Sequence, residues 1–210
     1  MVQLTHGGEN IQKMGDILKA AQKRFGLFGL EKTTMNEIAA DLNMSKGAIY
    51  YYFPDKEQLY KAVVNKEHNE FLQKVKERMS EMTDPAEMLK EYVQINLEFF
   101  RTLLNLSRTR LNEMTGLNPF MKEIVTEHRL KEQQLLIDIF TDGTRRGKFT
   151  FHNHEEVAIL FLDLMRGLRR IVIGKKDIFY LEEEEYKELV RKVGLFTEIF
   201  TNGLTCNLRN

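Results

Sequence analysis

The chain has 210 residues, 42% of them hydrophobic and 30% charged, which is enough to bury a proper core in one or two small domains. Basic and acidic residues balance to a formal net charge of zero, so a surface that meets nucleic acid all over is excluded and any such charge must be local. The single Cys206 excludes an internal disulfide and fits a reducing compartment, no apolar run reaches the roughly 18 residues a membrane helix needs, and MVQLTHGGEN lacks the regions of a signal peptide, so a soluble cytoplasmic protein is expected.

Strong helix formers outweigh Val-Thr strand patterns and only three prolines interrupt them, which predicts an all-α protein. Met1 to Glu9 is polar and is expected to fray or form a short arm. A helix follows over about Asn10 to Gly26, with Ile17, Leu18, Ala21 and Phe25 on one face and Lys19, Lys23 and Arg24 on the other. FGLFGLEK turns the chain and supplies Phe28 and Leu30 as core plugs. Thr34 and Glu37 form a capping box, in which hydroxyl and carboxylate satisfy the first unpaired amides of a helix reciprocally. Ile38, Ala39 and Leu42 give that helix an apolar face, and Asn43, which tolerates the left-handed conformation, ends it. Ser45 is a second N-cap so soon afterwards that the connection makes a sharp corner, and a second helix runs to about Tyr51. The pattern predicts a helix-turn-helix.

On that second helix Met44 and Ile49 can face the core, while Lys46, Gly47, Ala48 and Tyr50 are expected to point outward; Ser45, its N-cap, is counted with them among the DNA-binding candidates. A helix in the major groove reads base edges with its first residues: Lys46 can donate to guanine and the Ala48 methyl can meet a thymine methyl. Tyr50, Tyr51 and Lys56 suit phosphates, whereas Phe53 and Tyr52 read as core. Asn36, in the first turn of the preceding helix, reaches a base or phosphate or is simply solvated. Between Asn10 and Lys56 seven basic residues face five acidic ones, so helix N-termini must supplement a small excess of positive charge.

Phe25, Gly29, Thr33-Thr34, Ile38-Ala39, Met44-Ser45-Lys46-Gly47, Ile49-Tyr50, Tyr52-Phe53, Lys56 and Leu59 together resemble, in order and spacing, the N-terminal signature of tetracycline-repressor-like (TetR family) transcriptional regulators. The likeness covers about Ile17 to Tyr60. Leu42-Asn43-Met44 stands where the family pattern often has Ala-Gly-Val, and Tyr52 where it often has His. The resemblance implies that Thr34 caps its helix and offers its hydroxyl to a phosphate, that Lys46, Gly47 and Ala48 lie in the groove, and that Tyr50, Tyr51 and Lys56 grip the backbone. It also implies a C-terminal helical domain that binds a small molecule and dimerises, hence units over 10–56 and 57–205.

Asp55 and Gln58 cap the next helix, whose stripe of Leu59, Tyr60, Val63, Val64, Phe71, Leu72 and Val75 links the two units; its tilt would move the reading helix. Asp84-Pro85 starts a helix to about Leu106. A shorter helix is expected over Arg108 to Met114, and Asn118-Pro119 starts another that ends near Gly147. Asn96, Phe99, Phe100, Leu103, Met114, Phe120, Met121, Ile124 and His128 are the candidates for an effector pocket, against ordinary core for the apolar ones and surface for Asn96 and His128. Met and Phe richness points to a hydrophobic effector.

His152, His154, Glu155 and Glu156 are a weak metal signal, and Asn153 with Glu156 reads better as a helix cap. No metal, cofactor or catalytic constellation is expected. Two strongly apolar helices, Glu155 to Ile173 and Glu182 to about Asn202, would form a four-helix interface between two copies through Leu160, Leu164, Gly167, Leu168, Ile171, Leu189, Val193, Phe196 and Phe200. The expectation is a homodimeric repressor that binds a palindromic operator on double-stranded DNA and is released by a small molecule. A constitutive or nucleoid-associated protein of the same fold is the alternative, and a helical enzyme or lipid carrier is a more distant one.

Overall fold

The computed structural model describes residues 5–106, 119–173 and 182–205. Among them are eight helices and no strand: α1 (Thr5–Lys32), α2 (Met35–Asp41), α3 (Lys46–Tyr52), α4 (Lys56–Met79), α5 (Pro85–Leu106), α6 (Pro119–Arg145), α7 (His154–Ile173) and α8 (Glu183–Thr205). The shorter helix expected over Arg108 to Met114 lies outside the described residues.

α1 begins five residues earlier than expected, at Thr5, and its helical conformation breaks at Gly29, where φ is 78°. Glycine takes that conformation without a Cβ penalty. The fully buried Thr33 hydroxyl then donates to the Gly29 carbonyl at 2.8 Å and fixes the exit. Phe28 is not the core plug it was expected to be: it stays half exposed, with the Arg24 guanidinium 5.7 Å from its ring centre. Leu30 does pack on the core.

The corner forms as its caps dictate. The Glu37 amide donates to the Thr34 hydroxyl at 3.3 Å, and the Thr34 amide to the Glu37 carboxylate at 2.9 Å. Asn43 takes a positive φ of 52°, and the Ala48 amide donates to Ser45 Oγ at 3.2 Å. Arg24 clasps the unit from α1, reaching Asp41 through Nε at 2.6 Å and Nη2 at 2.7 Å. Ile17, Ala21, Phe25, Ile38, Ile49 and Leu59 are buried together beneath it.

This cluster does not stop at α3. Tyr60 and Val63 of α4 belong to it, and so does Ile124 of α6, with Phe120 packed alongside. Further along, the same two helices enter a second cluster, α4 through Phe71 and Val75, α6 through Leu136, Ile139 and Phe140. α5, α7 and α8 complete that body around Tyr92, Phe161, Met165, Leu189 and Val193. Each large apolar side chain so buried contributes about 1.5–3 kcal/mol.

Turn chemistry closes α6. Gly147 has φ 71°, the Lys148 amide donates to the Gly143 carbonyl at 2.9 Å and the Gly147 amide to Thr144 at 3.0 Å, the paired bonds of a Schellman end. Gly143 itself is required by Phe149, whose Cδ2 would lie 2.1 Å from a Cβ built there. No helix among the described residues is long and apolar enough to cross a membrane.

Candidate nucleic-acid interface and interior polar cluster

α3 leaves the body of the first unit and exposes Ser45, Lys46, Gly47, Tyr50 and Tyr51. A Cβ added to Gly47 meets nothing within 4 Å, so the protein's own packing does not demand glycine there. The Lys46 ammonium stands 5.7 Å from the centre of the Tyr50 ring, and Tyr51, 78% exposed, meets Tyr52 edge-on. Tyr52 turns inward, and its hydroxyl donates to Asn10 Oδ1 at 2.8 Å, pinning α3 to α1. Ala48, expected outward, is half-buried and lines an open groove with Lys13, Leu42, Met44 and Tyr51.

The flanking residues are partly committed. Thr34 sends its hydroxyl proton to Glu37 Oε2 at 2.7 Å as well as its amide, so neither donor is free for a phosphate while the cap is closed. That bond, followed by the other contacts of the cap, holds the Glu37 carboxyl below its usual range, and Arg24 does the same for Asp41. Arg24 thereby neutralises the acids of α2 and is no part of a free basic surface. Lys56, half-buried, donates to the Glu31 carbonyl at 3.3 Å across the seam between α1 and α4, and Asn36 is exposed.

The second site is interior. Glu132 on α6 accepts on Oε2 from the Tyr92 hydroxyl at 2.5 Å and from Asn96 Nδ2 at 2.9 Å, while Oε1 lies 3.4 Å from His68 Nε2. Burial pushes the Glu132 carboxyl up, but the bonds from His68 and Tyr92 and the charge of Arg169 outweigh it, and its pKa falls below the usual value. Burial and Glu132 in turn raise the Tyr92 hydroxyl well above its ordinary value. Arg169 donates to Asn96 Oδ1 and lies 4.8 Å from the Phe100 ring centre. The rings of His68 and His128 stack 3.9 Å apart, and His128 Nε2 meets Asn65 Oδ1 at 2.7 Å.

Of the residues expected around an effector, Asn96, Phe99, Phe100 and His128 are thus brought to one place, with Phe99 stacked on Phe71 at 4.7 Å. Asn96 is 3% exposed, not a surface residue. Ile124 and Phe120 lie apart from that place: they pack into the cluster of the first unit, where the start of α6 lies against α4 and Lys61 Nζ donates to Glu123 Oε1 at 2.6 Å. Met114 and the side chains of Leu103 and Met121 lie outside the described residues. His68, Tyr92, Glu132 and Arg169 were missed. The available signal was polar residues at four-residue spacing on inner faces, Tyr92 with Asn96 and His128 with Glu132, and an arginine inside the apolar run of α7.

The two apolar helices sort into inner and outer sets. Leu160, Leu164, Gly167 and Ile171 of α7 face outward, whereas Leu168 packs on the core. On α8, Leu189 and Val193 are fully buried in the protomer's own core, and the half-buried Phe196 and Phe200 meet Phe161 with ring centres 5.4 Å apart and tilted, and 5.0 Å apart and edge-on. The apolar side chains α8 leaves exposed are Val190, Leu195 and Ile199. Asn153 caps α7 through the Glu156 amide at 3.2 Å, and His154 Nε2 lies 2.9 Å from the Thr144 hydroxyl. Among the described residues no group of three or more His, Cys, Asp or Glu is placed to hold a metal ion.

Residues 17–63 match the family model for bacterial regulatory proteins, tetR family. Over 195 residues the chain is 24% identical to the HTH-type transcriptional regulator QacR of Staphylococcus aureus, a match that covers 90% of this chain and 96% of that one. It is 34% identical over 110 residues to the HTH-type transcriptional regulator RutR of Escherichia coli K12, covering 52% of this chain and 51% of that one. The crystal structure of a transcriptional regulator from Cytophaga hutchinsonii superposes with a TM-score of 0.82 at 34% identity, covering 92% of this chain and 99% of that one.

Proposed function

Because the chain belongs to the tetR family of bacterial transcriptional regulators and is not an enzyme, we propose that it acts as a homodimeric repressor, held on a palindromic operator until a small, largely hydrophobic effector releases it. The observation that carries this reading is α3, which presents Lys46, Gly47, Tyr50 and Tyr51 outward from a corner fixed by two side-chain caps and the Arg24 clasp. Residues 10–56 form the reading unit, with Ser45, Lys46, Gly47 and Ala48 at the groove and Thr34, Asn36, Tyr50, Tyr51 and Lys56 toward the backbone. Residues 57–205 form the effector and dimerisation unit. Thr34 serves first as a cap, and meets a phosphate only by sharing its hydroxyl with Glu37.

Dimerisation is supported by the outward apolar residues Leu160, Leu164 and Ile171 of α7 and Leu195 and Ile199 of α8, which nothing in the protomer covers among the described residues. Two copies joined there present two reading helices about one helical turn (~34 Å) apart. Release by an effector is supported by α4 and α6, which each enter both apolar clusters, so a shift beside Asn96 and Glu132 is felt under α3.

Selection of bound DNA from a random pool, followed by sedimentation of the free and bound protein, tests the proposal. The expected outcome is a palindromic site bound by two chains. A protein that stays monomeric at micromolar concentration, or binds no DNA in a salt-dependent way, sinks it; operator binding that no compound disturbs leaves a constitutive regulator of the same fold.

A further inference from the structure

The polar groups buried between α4, α5, α6 and α7 satisfy one another except at two atoms. His68 turns Nε2 toward Glu132, so that nitrogen carries the proton of the bond, while Nδ1 of the same ring, in a residue 2% exposed, has no hydrogen-bond partner among the described residues. Arg169 donates to Asn96 through a terminal nitrogen, yet its buried Nε is equally without a partner. A buried donor or acceptor left unpaired forfeits its hydration without a return, and the loss is greater when the group is charged. Such groups in a native fold call for a partner from elsewhere.

The surrounding charge says what kind. The Tyr92 hydroxyl feels the Glu132 carboxylate most strongly, and the guanidiniums of Arg169 and Arg166 oppose it. His128 adds no charge near neutrality, because burial, then the neighbouring His68 and Lys131, lower its pKa to about 4. Glu132 already receives donors on both oxygens, while the Arg169 guanidinium is hydrogen-bonded to the neutral Asn96 carbonyl rather than to a carboxylate, so a positive charge is left to be matched there. In a low-dielectric interior that charge attracts an anion. The cluster is also not sealed, since Phe99, Phe100, His128 and Arg169 each keep part of their surface exposed.

Resting on the effector reading above, we infer that this cluster binds the carboxylate of a small amphipathic acid that carries a second hydrogen-bond donor. The carboxylate accepts from Arg169 Nε, a hydroxyl or N–H of the ligand donates to His68 Nδ1, and the apolar remainder lies along Phe99 and Phe100. The two unpaired atoms flank those rings: His68 lies 6.3 Å from Phe99 and Arg169 4.8 Å from Phe100, centre to centre or guanidinium to ring.

The test uses the full chain with salicylate, 3-phenyllactate and 2-hydroxyoctanoate, each beside its carboxamide, with 3-phenylpropionate as the acid that lacks the second donor and benzyltrimethylammonium as a cation. Calorimetry and thermal shift report binding, and operator release is read in the same samples. At least one acid is expected to bind about tenfold or more tighter than its amide, with Arg169→Gln removing the preference. His68→Asn should remove the preference of 3-phenyllactate over 3-phenylpropionate. Operator binding and circular dichroism of the free variants report folding, and Arg169→Lys, which keeps the charge but not the Nε donor, replaces Arg169→Gln if the latter does not fold. The inference is overturned if no acid binds, if amides bind as well, or if the cation binds instead. An amide or cation that releases operator would leave the effector reading standing and sink the acid; an acid that binds through Arg169 without releasing operator would do the reverse.

Discussion

Lys56 donates one of its three protons to the carbonyl of Glu31, which leaves the others for the phosphate contact proposed for it. Lys56→Ala should therefore weaken binding to all DNA sequences alike and flatten the dependence of log affinity on log salt by about one unit. A loss confined to one operator variant would refute that role. His128 supplies a pH signature. Its folded pKa, lowered from 6.5 to about 4, means the folded protein prefers the neutral ring. The stability this contributes is complete above the unfolded value and is lost as pH falls through the interval toward the folded one. His128→Gln should remove on the order of 2 kcal/mol of the acid-side loss, allowing for its partial exposure. Equal pH slopes for wild type and variant in urea titrations would contradict this.

At the scale of elements, Gly143→Ala forces a methyl into the Phe149 ring and should cost 1–3 kcal/mol or roughly so by overpacking, read as a lowered urea midpoint. Ile124→Ala should cost about 2–5 kcal/mol although it lies far from α3 in sequence, because it opens a cavity in the cluster beneath the reading helix. Thermal melts that leave the first unit unaffected would disprove that placement. The caps were legible in the sequence, since Thr34 with Glu37, Ser45, Asp55 and Asp84 act within three or four residues of themselves. What depends on distant partners was not. On α8 Leu189 and Val190 are adjacent apolar residues, and which of them faces inward is decided by α5 and α7, against which Leu189 is buried while Val190 stays exposed. The Asn96–Arg169 contact joins residues 73 apart, beyond any local spacing rule.

For the whole molecule, the outward apolar face of α7 and α8 predicts its state of association. Replacing Leu195 and Ile199 together by Glu should give a folded monomer, with circular dichroism unchanged and operator affinity lost, because both side chains are more than half exposed in the protomer and contribute little to its own core. A dimer that survives the double substitution would place the interface elsewhere. The two apolar clusters carry a different consequence, one for protein engineers. Since Tyr60, Val63, Phe120 and Ile124 all serve the first cluster, a DNA-binding head excised at Lys56 and spliced onto another regulator would leave behind part of its floor. A working chimera must carry α4 through Val63 and match the new host's α6 to the side chains that Phe120 and Ile124 now meet.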